Sequence, residues 1–291
     1  MKHISSKENT QYKQLLKTHH GKTKGEVLLE GVHLCRSWLE CYGEPVLAIF
    51  NQDVLNSGDD RQKTGAADPG YTNHHSKKKH GIFQSVRDEI NQMLAQLDSH
   101  KCLSVPGQLF QQLSDVDTPQ GILFLVRVPV QEAKTEISEN ALFLDRLQDP
   151  GNAGTMLRSA AAAGVRDVYL SKNSVSAWSA KVLRSAQGAH FLLNIYEQQD
   201  LSALIDKARI PVMATALSDT AVNLFETRLP EKCIWLMGHE GQGVHPDLLS
   251  KSTTLVFIPQ TSLVESLNVG VAAGIVLFEH RRQCLYLSQL D

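Results

Sequence analysis

The chain has 291 residues, of which 42% are hydrophobic and 21% are charged, and its formal net charge is −2. This length predicts about two domains, each large enough for a core of ordinary size. No apolar run reaches the ~18 residues that a membrane span requires, and the polar N-terminus lacks the apolar region of a signal peptide. The net charge argues against a chain that binds nucleic acid by bulk charge, but it is compatible with a local basic face.

Cysteine usage and basic clusters narrow the class further. The cysteines are odd in number and lack the close pairing of metal ligands, so we expect reduced thiols, a cytoplasmic protein and no metal site. Lysine and histidine cluster at residues 2–24 and again at 74–80. Either cluster can contact phosphate, although such runs are more often solvated surface. The cysteines are Cys35, Cys41, Cys102, Cys233 and Cys284.

The N-terminal half predicts a small α/β domain over residues 1–130. Within it, residues 51–80 are rich in Gly, Asp, Asn, Ser and Lys, with few periodic apolar residues, which indicates a flexible insertion. The polar stretch 131–140 is expected to be a linker. The elements expected in this half are a helical pattern opening at 27–34, a strand at 45–50, an amphipathic helix at 85–97 and a strand at 122–128.

The C-terminal half, residues 141–291, alternates apolar strands with helical stretches, including a helix at 155–163. Continuously apolar strands separated by helices predict a parallel sheet covered on both faces. Ligands of such sheets bind at the carboxyl ends of the strands. The strands expected in this half are 141–145, 168–170, 212–216, 234–237 and 254–258.

The first segment at a predicted strand end covers residues 149–158. Gly151 and Gly154 allow a tight turn into a helix, Asn152 is a candidate helix cap, and Arg158 follows within the first turns. A helix N-terminus with a nearby arginine suits a phosphate group. The alternative is an ordinary turn with a surface arginine, and the spacing matches neither a dinucleotide fingerprint nor a P-loop.

The second segment covers residues 235–244. Gly238, Gly241 and Gly243 follow a buried strand, where glycine lets the backbone approach a ligand closely. Glu240 stands among them and would be costly to bury without a partner. The alternative is that Glu240 caps the helix that starts near residue 245.

The third segment, residues 258–270, ends where an apolar run begins. Ser266 and Asn268 stand at that point, although a plain core helix needs at most one cap. The extra polar group favours a loop that holds a ligand, and an ordinary strand-loop-helix junction is the alternative.

Together the three segments resemble the signature motifs of the SpoU (TrmH) family of RNA ribose 2'-O-methyltransferases in the SPOUT superfamily. The N-terminal half resembles the substrate-binding domain of that family, a fold shared with ribosomal proteins, through residues 28–32 and 114–121. Two positions depart from the commonest pattern: His239 stands where Asn is usual, and Gly270 where a small hydroxyl residue is usual. The matching residues are Asn152, Gly154, Arg158, Gly238, Glu240, Gly241, Gly243, Ile258, Pro259, Ser266, Leu267, Asn268 and Val269.

The resemblance implies an α/β fold whose C-terminal parallel sheet carries a deep trefoil knot, with S-adenosylmethionine as the cofactor. It also implies a homodimer, for which the apolar helix 269–278 is a candidate face, and an RNA partner rather than a membrane. The residues it implicates in cofactor binding are Gly238, Gly243, Ile258, Leu267 and Val269.

The same resemblance implies that Arg158 acts in catalysis. Because a guanidinium group almost never loses its proton, we expect Arg158 to hold the adjacent phosphate and stabilise the developing alkoxide rather than act as a base. Four further residues are expected to orient the arginine, the ribose and the loop: Asn152, Glu240, Ser266 and Asn268.

The leading hypothesis is therefore 2'-O-methylation of a ribose in structured RNA, with ribosomal RNA favoured over transfer RNA by the two-domain layout. One alternative is an RNA-binding protein that keeps the fold but has lost catalysis, which the His239 departure and the 51–80 insertion motivate. Another is a nucleotide-dependent oxidoreductase, which the missing G-x-G-x-x-G spacing disfavours.

Overall fold

The computed structural model of the chain describes residues 1–57, 74–132 and 134–287. Its contacts divide the chain into two compact units, Met1–Val128 and Pro129–Asp291. Among the described residues, no helix is both long enough and apolar enough to cross a membrane. The cysteines are all free thiols.

The first unit consists of a five-stranded mixed sheet and the helices around it. In chain order its elements are β1 (Lys2–His3), α1 (Thr10–His19), β2 (Glu26–Glu30), α2 (Val32–Tyr42), β3 (Leu47–Asn51), α3 (Gln52–Asn56), α4 (His74–Gln96), β4 (Cys102–Val105), α5 (Gly107–Gln111) and β5 (Ile122–Arg127). The strand order is β1-β4-β3-β5-β2, in which β5 is antiparallel to both neighbours and the other pairs are parallel.

Two expectations for this unit need correction. The helical pattern expected from residue 27 begins as strand β2, because Leu28 and Leu29 point to opposite faces and both are buried. The stretch 51–80, expected to be a loop, is helical at both ends, in α3 and in the start of α4. Asn51 caps α3, since its side-chain oxygen accepts the amide of Asp53 at 2.9 Å. Residues 58–73 of the predicted insertion lie outside the described residues.

The two N-terminal segments that resemble the family bind to each other. The carboxylate of Glu30 accepts hydrogen bonds from the hydroxyl of Ser114 and from the amide of Asp115, the latter at 3.2 Å. The side chain of Gln120 accepts the amide of Val32 at 2.8 Å. These contacts hold the start of α2 against the loop before β5.

The second unit is built on a seven-stranded sheet. In chain order its elements are β6 (Ala141–Leu144), α6 (Pro150–Ala163), β7 (Asp167–Ser171), α7 (Ala180–Ala186), β8 (Asn194–Gln199), α8 (Leu201–Ile205), β9 (Val212–Thr215), β10 (Val222–Asn223), β11 (Ile234–Met237), α9 (Pro246–Lys251), β12 (Thr254–Phe257) and α10 (Val269–Leu287). The order is β10-β12-β9-β11-β6-β7-β8 and every pair is parallel, which confirms the predicted parallel sheet.

The centre of this sheet is fully buried. All four residues of β6 and the first three of β11 have no exposed surface, which explains why these strands read as continuous apolar runs. On one side, α6 packs so closely on α7 that a Cβ on Gly154 would lie only 1.9 Å from Ser185 Oγ. The stretch 131–140 belongs to this unit: Ile137 is buried and the ammonium of Lys134 pairs with Asp167.

Helix α6 begins five residues earlier than the predicted start at Thr155. Asp149 caps it by accepting the amide of Asn152 at 2.7 Å, and Pro150 stands in the first turn, where proline is favourable. The prediction that Asn152 caps this helix is therefore wrong. Its side chain is free to bond elsewhere.

Parallel pairing brings three strand ends to the same edge of the sheet. Leu144 at the end of β6 is in register with Met237 at the end of β11, and the amide of Asp145 donates to the carbonyl of Met237 at 2.8 Å. Strand β12 ends at the same edge, two strands from β11. The segments after β6, β11 and β12 are therefore neighbours.

A buried histidine makes the stability of the second unit depend on pH. His190 has no exposed surface, its Nε2 lies 2.6 Å from the carbonyl of Ala177, and burial lowers its pKa to about 4 despite that hydrogen bond. The folded protein therefore contains the imidazole of His190 in its neutral form. Stability is greatest above the unfolded pKa of about 6.5 and falls as the pH drops towards 4, because the unfolded chain takes up the proton first.

We expect the unfolding free energy to fall by about 2 kcal/mol between pH 7 and pH 5 through this residue. His190→Gln keeps a donor for Ala177 but does not titrate, so its stability should change less over that range. Urea unfolding at the two pH values measures the difference. Equal losses in the parent and the variant would contradict the assignment.

Candidate functional site

A chain of hydrogen bonds joins the three strand-end segments. The carboxylate of Glu240, from the second segment, accepts the amide of Asp149 at 2.8 Å and the side-chain amide of Asn152 at 3.4 Å, both in the first segment. It also accepts the amide of Gln148 at 3.3 Å. Asn152 in turn accepts the side-chain amide of Asn268, from the third segment, at 2.9 Å. The structure thus brings together three of the predicted catalytic residues.

Glu240 is held as a carboxylate by these contacts. Burial on its own would raise its pKa, but the amides of Asp149, Glu240 and Gln148 and the side chain of Asn152 bring the pKa below its usual value. The alternative in which Glu240 caps the following helix is wrong. That cap is His245, whose Nδ1 accepts the amide of Asp247 at 3.3 Å.

Asn268 uses both ends of its side-chain amide. While Nδ2 donates to Asn152, Oδ1 accepts the amides of Gly270 at 2.9 Å and Val271 at 3.2 Å, which caps helix α10. A Cβ on Gly270 would lie 3.3 Å from the methyl of Thr155 on α6. Gly270, where the family usually has a small hydroxyl residue, therefore allows a tight contact between α6 and α10.

The second segment closes into a small loop through its own backbone. His239 and Gly243 exchange two hydrogen bonds, of 3.0 and 2.9 Å, and Gly243 has a φ of +67°, which favours glycine. A Cβ on Gly238 would lie 2.1 Å from the backbone of Gly243 and Val244. Glycine at position 238 is therefore required for close approach of the loop to its own backbone.

The contacts of His239 explain how a histidine can stand where the family usually has an asparagine. Its Nδ1 accepts the amides of Gly241 at 2.9 Å and Gln242 at 3.3 Å. The Oδ1 of an asparagine is also bonded to Cγ and accepts such amides in turns. The histidine therefore performs locally the acceptor role that an asparagine would perform.

A cavity of about 400 Å³ lies beside this loop, at the carboxyl edge of the sheet. All of the predicted cofactor-binding residues line it: Gly238, Gly243, Ile258, Leu267 and Val269. Of the predicted catalytic residues, Glu240 and Ser266 line it, whereas Asn152, Asn268 and Arg158 do not. The walls thus come from the second and third segments, and the first segment stands behind them.

The sequence interpretation missed part of this wall. Thr215, Ala216 and Leu217, at the end of β9, also line the cavity, as do Gln260 and Glu265 in the third segment. Small and apolar residues at a strand end carry no chemical signal. Their strand nevertheless belongs to the same parallel sheet, so the strand-end rule alone would have indicated them.

The charge of the cavity wall is negative. Its ionisable members are His239, Glu240 and Glu265, and neither lysine nor arginine occurs among the described residues that line it. The hydrogen bonds of Glu240 are used within the site. The carboxylate of Glu265 forms no hydrogen bond or ion pair with the part of the chain that the structure describes.

Comparison with known proteins agrees with this geometry. A family model described as the SpoU rRNA methylase family matches residues 139–278, which include all three segments. An uncharacterised tRNA/rRNA methyltransferase of Synechocystis is 32% identical over 295 residues, which cover 96% of this chain and 93% of that protein. The chain belongs to the SpoU family.

Two further similarities concern sequence and fold. The 23S rRNA (guanosine(2553)-2'-O)-methyltransferase of Bacillus subtilis is 35% identical over 184 residues, 62% of this chain and 73% of that protein. The crystal structure of an AdoMet-bound rRNA methyltransferase from Sinorhizobium meliloti has a TM-score of 0.74 and covers 97% of both chains at 22% identity. At that identity the likeness concerns the fold, and it confirms the α/β architecture expected of a SpoU protein.

Arg158, the arginine of the first SpoU motif, stands apart from the network. It is exposed on α6 and forms no hydrogen bond or ion pair with any described residue. It shares the outward face of the helix with Gly151, Thr155 and Ala162, all exposed. The structure therefore does not bring Arg158 into the cavity of its own chain.

The contact between Asn152 and Asn268 can be tested apart from the helix cap. Asn268→Asp keeps the Oδ1 acceptor for Gly270 and Val271 but loses the donor to Asn152, whereas Asn268→Ala loses both. We expect the aspartate variant to lose about 1 kcal/mol of stability, and the alanine variant about 1 kcal/mol more because the cap is lost as well.

Amide hydrogen exchange separates the two effects. Residues 261–268 should exchange faster in both variants, whereas the amides of Gly270 and Val271 should lose protection only in Asn268→Ala. Unchanged exchange at 261–268 in the aspartate variant would show that the hydrogen bond to Asn152 does not hold the loop.

Proposed function

We propose that this chain transfers the methyl group of S-adenosylmethionine to the 2'-hydroxyl of a ribose in ribosomal RNA. The observation that carries the proposal is the convergence of every predicted cofactor-binding residue on one cavity beside the Glu240–Asn152–Asn268 network. The relative in Bacillus subtilis is named for 2'-O-methylation of 23S rRNA. Transfer RNA is the second candidate substrate, because the Synechocystis relative is named for both RNAs.

The cavity suits S-adenosylmethionine in size and charge. Its volume of about 400 Å³ lies within the range of small-molecule sites. Ile258, Leu267 and Val269 offer apolar surface to an adenine ring, and Glu240 and Glu265 favour a ligand of net positive charge, such as a sulfonium with an ammonium group. When bound, S-adenosylmethionine supplies the electrophilic methyl group.

The residues of the chain would place the ribose and stabilise charge. Glu240, Asn152 and Asn268 hold the three loops at fixed separations, and Ser266 lies at the cavity wall. Because a guanidinium group is a poor base, the role of Arg158 in this proposal is to hold the adjacent phosphate and to stabilise the oxygen as it becomes an alkoxide. The hydroxyl proton leaves to water or to the substrate phosphate rather than to the arginine.

A homodimer would complete this site. Helix α10 exposes Val271, Phe278 and Leu285, which are 52%, 48% and 52% exposed and are spaced by seven residues along one face. That apolar stripe extends the dimer face predicted at 269–278. Because Arg158 lies on the outward face of α6, which packs on α10, pairing of two chains through these helices can carry Arg158 of one copy to the cavity of the other.

The path of the third segment supports the predicted knot. Strand β12 ends three strands away from β6, yet Asn268 bonds Asn152, which follows β6. Residues 258–267 must therefore cross the ends of β9 and β11, where the loop 238–244 also lies. We infer that the chain threads this loop, and a crystal structure that traces residues 238–268 without a crossing would refute it.

The free cysteines favour the cytoplasm, where thiols remain reduced. Fractionation of cells with an antibody against the chain tests this inference, and recovery outside the cytoplasm would refute it.

Methyl transfer is the direct test of the function. With labelled S-adenosylmethionine and ribosomal RNA from cells that lack the gene, we expect methylation at one ribose. Arg158→Ala should lower kcat about a hundredfold, and Arg158→Lys should recover part of it, since lysine keeps the charge but not the planar fork. The KM for S-adenosylmethionine should stay unchanged. Cofactor binding without transfer to any RNA would favour the inactive RNA-binding protein instead.

Mixed dimers test whether the arginine acts across the interface. Arg158→Ala lacks the arginine, and Leu267→Asp places a charge in the apolar part of the cavity. When the two inactive variants are co-expressed, half of the dimers contain one complete site, so activity should return to about a quarter of the parent. No recovery, with dimers confirmed by sedimentation, would place Arg158 in its own chain's site.

A further inference from the structure

Arg146 occupies an unusual backbone conformation between β6 and the first SpoU motif. Its φ is +53°, in the left-handed region that few residues other than glycine adopt. The amide of Arg146 donates to Ser171 Oγ at 2.7 Å, which ties this conformation to the end of β7. Arginine thus occupies a position where glycine would be less strained, which indicates that its side chain has a role.

The guanidinium of Arg146 reaches the loop of the second motif. Nη1 donates to the side-chain oxygen of Gln242 at 2.8 Å, and Nη2 donates to the carbonyl of Gly243 at 3.2 Å. Both Gln242 and Gly243 line the cavity, whereas Arg146 does not. The side chain therefore acts on the cavity wall from behind.

A buried carboxylate holds the guanidinium in place. Asp145 is 3% exposed, and its Oδ2 accepts Arg146 Nε at 3.2 Å and the amide of His245 at 2.9 Å. The two residues thus grip the loop at Gln242, Gly243 and His245. The loop's own bonds, between His239 and Gly243, fix its shape. Glu240 ties the loop to Gln148 and Asp149, and Arg146 and Asp145 hold the part from 242 to 245.

We infer that Arg146, anchored by Asp145, is a positioning residue that sets the cofactor-binding wall, and this rests on the proposed function. The planar fork of arginine is required, because three donors with fixed directions reach three acceptors on two segments. Lysine can pair with Asp145 but cannot hold Gln242 and Gly243 at the same time. The loop would then move relative to the cavity while the fold is retained.

The matched experiment compares Arg146→Lys with Arg209→Lys. Arg209 forms an exposed ion pair with Glu136 in the same unit and takes no part in the cavity. With the full chain and ribosomal RNA, we expect Arg146→Lys to raise the KM for S-adenosylmethionine about tenfold, as loss of hydrogen bonds from a charged donor predicts. The KM for RNA, kcat at saturating cofactor and the Tm should match the control.

A second variant tests the coupling. Gln242→Ala should raise the KM for S-adenosylmethionine on its own. It should add little in the Arg146→Lys background, because both changes remove the same hydrogen bond between Arg146 and Gln242. A parental KM in Arg146→Lys, a parallel fall of kcat and Tm, or fully additive effects would each overturn the inference. If the parent itself neither binds S-adenosylmethionine nor transfers methyl groups, the proposed function fails instead, and this result is distinct from those three.

Discussion

The hydrogen bond between the Glu240 carboxylate and the loop after β6 is the constraint on which the site depends. A half-buried carboxylate is unfavourable until it is bonded, and three amides of its own neighbourhood provide the bonds. Because Asn152 donates to Glu240 and accepts from Asn268, the same side chain that satisfies the carboxylate also ties down the third segment. One half-buried charge thereby fixes the mutual positions of three loops that are far apart in sequence.

The parallel sheet makes it possible for one carboxylate to join these loops. Strands β6 and β11 are adjacent and in register, so the loops that leave them start within hydrogen-bonding distance. Gly238 then allows the second loop to fold back on its own backbone, where any side chain would collide. The backbone of this loop consequently forms part of the cavity wall, together with apolar side chains, and Glu240 is the member of the polar network that reaches the cavity.

The two departures from the SpoU pattern are both explained by local chemistry. His239 keeps an acceptor on the atom next to Cγ, and Gly270 leaves Thr155 in close contact with α10. Neither change removes a member of the network that joins the loops. The two departures therefore do not support the alternative of an RNA-binding protein that has lost catalysis.

Much of the fold could be read from the residues. Continuous apolar strands predicted the parallel sheet, and polar groups at three strand ends predicted where a ligand binds. The predictions from sequence were wrong where two different local structures produce the same pattern of residues. Leu28 and Leu29 are consecutive because both faces of β2 are buried, and a buried strand then resembles a helix. Asp149 and Asn152 are both good caps, and only the geometry showed that Asp149 performs this role.

The residue types of the site can be identified without the structure, because amide, carboxylate and glycine residues at strand ends are recognisable from chemistry and spacing. Which of them meet depends on how the chain folds. Asn152 and Asn268 are more than a hundred residues apart and join through one hydrogen bond, and Arg158 lies on the outer face of its helix rather than with them. Arg146 carried no motif at all. Its role follows from distances to Gln242 and Gly243, and distances between segments are set by packing, which no local pattern encodes.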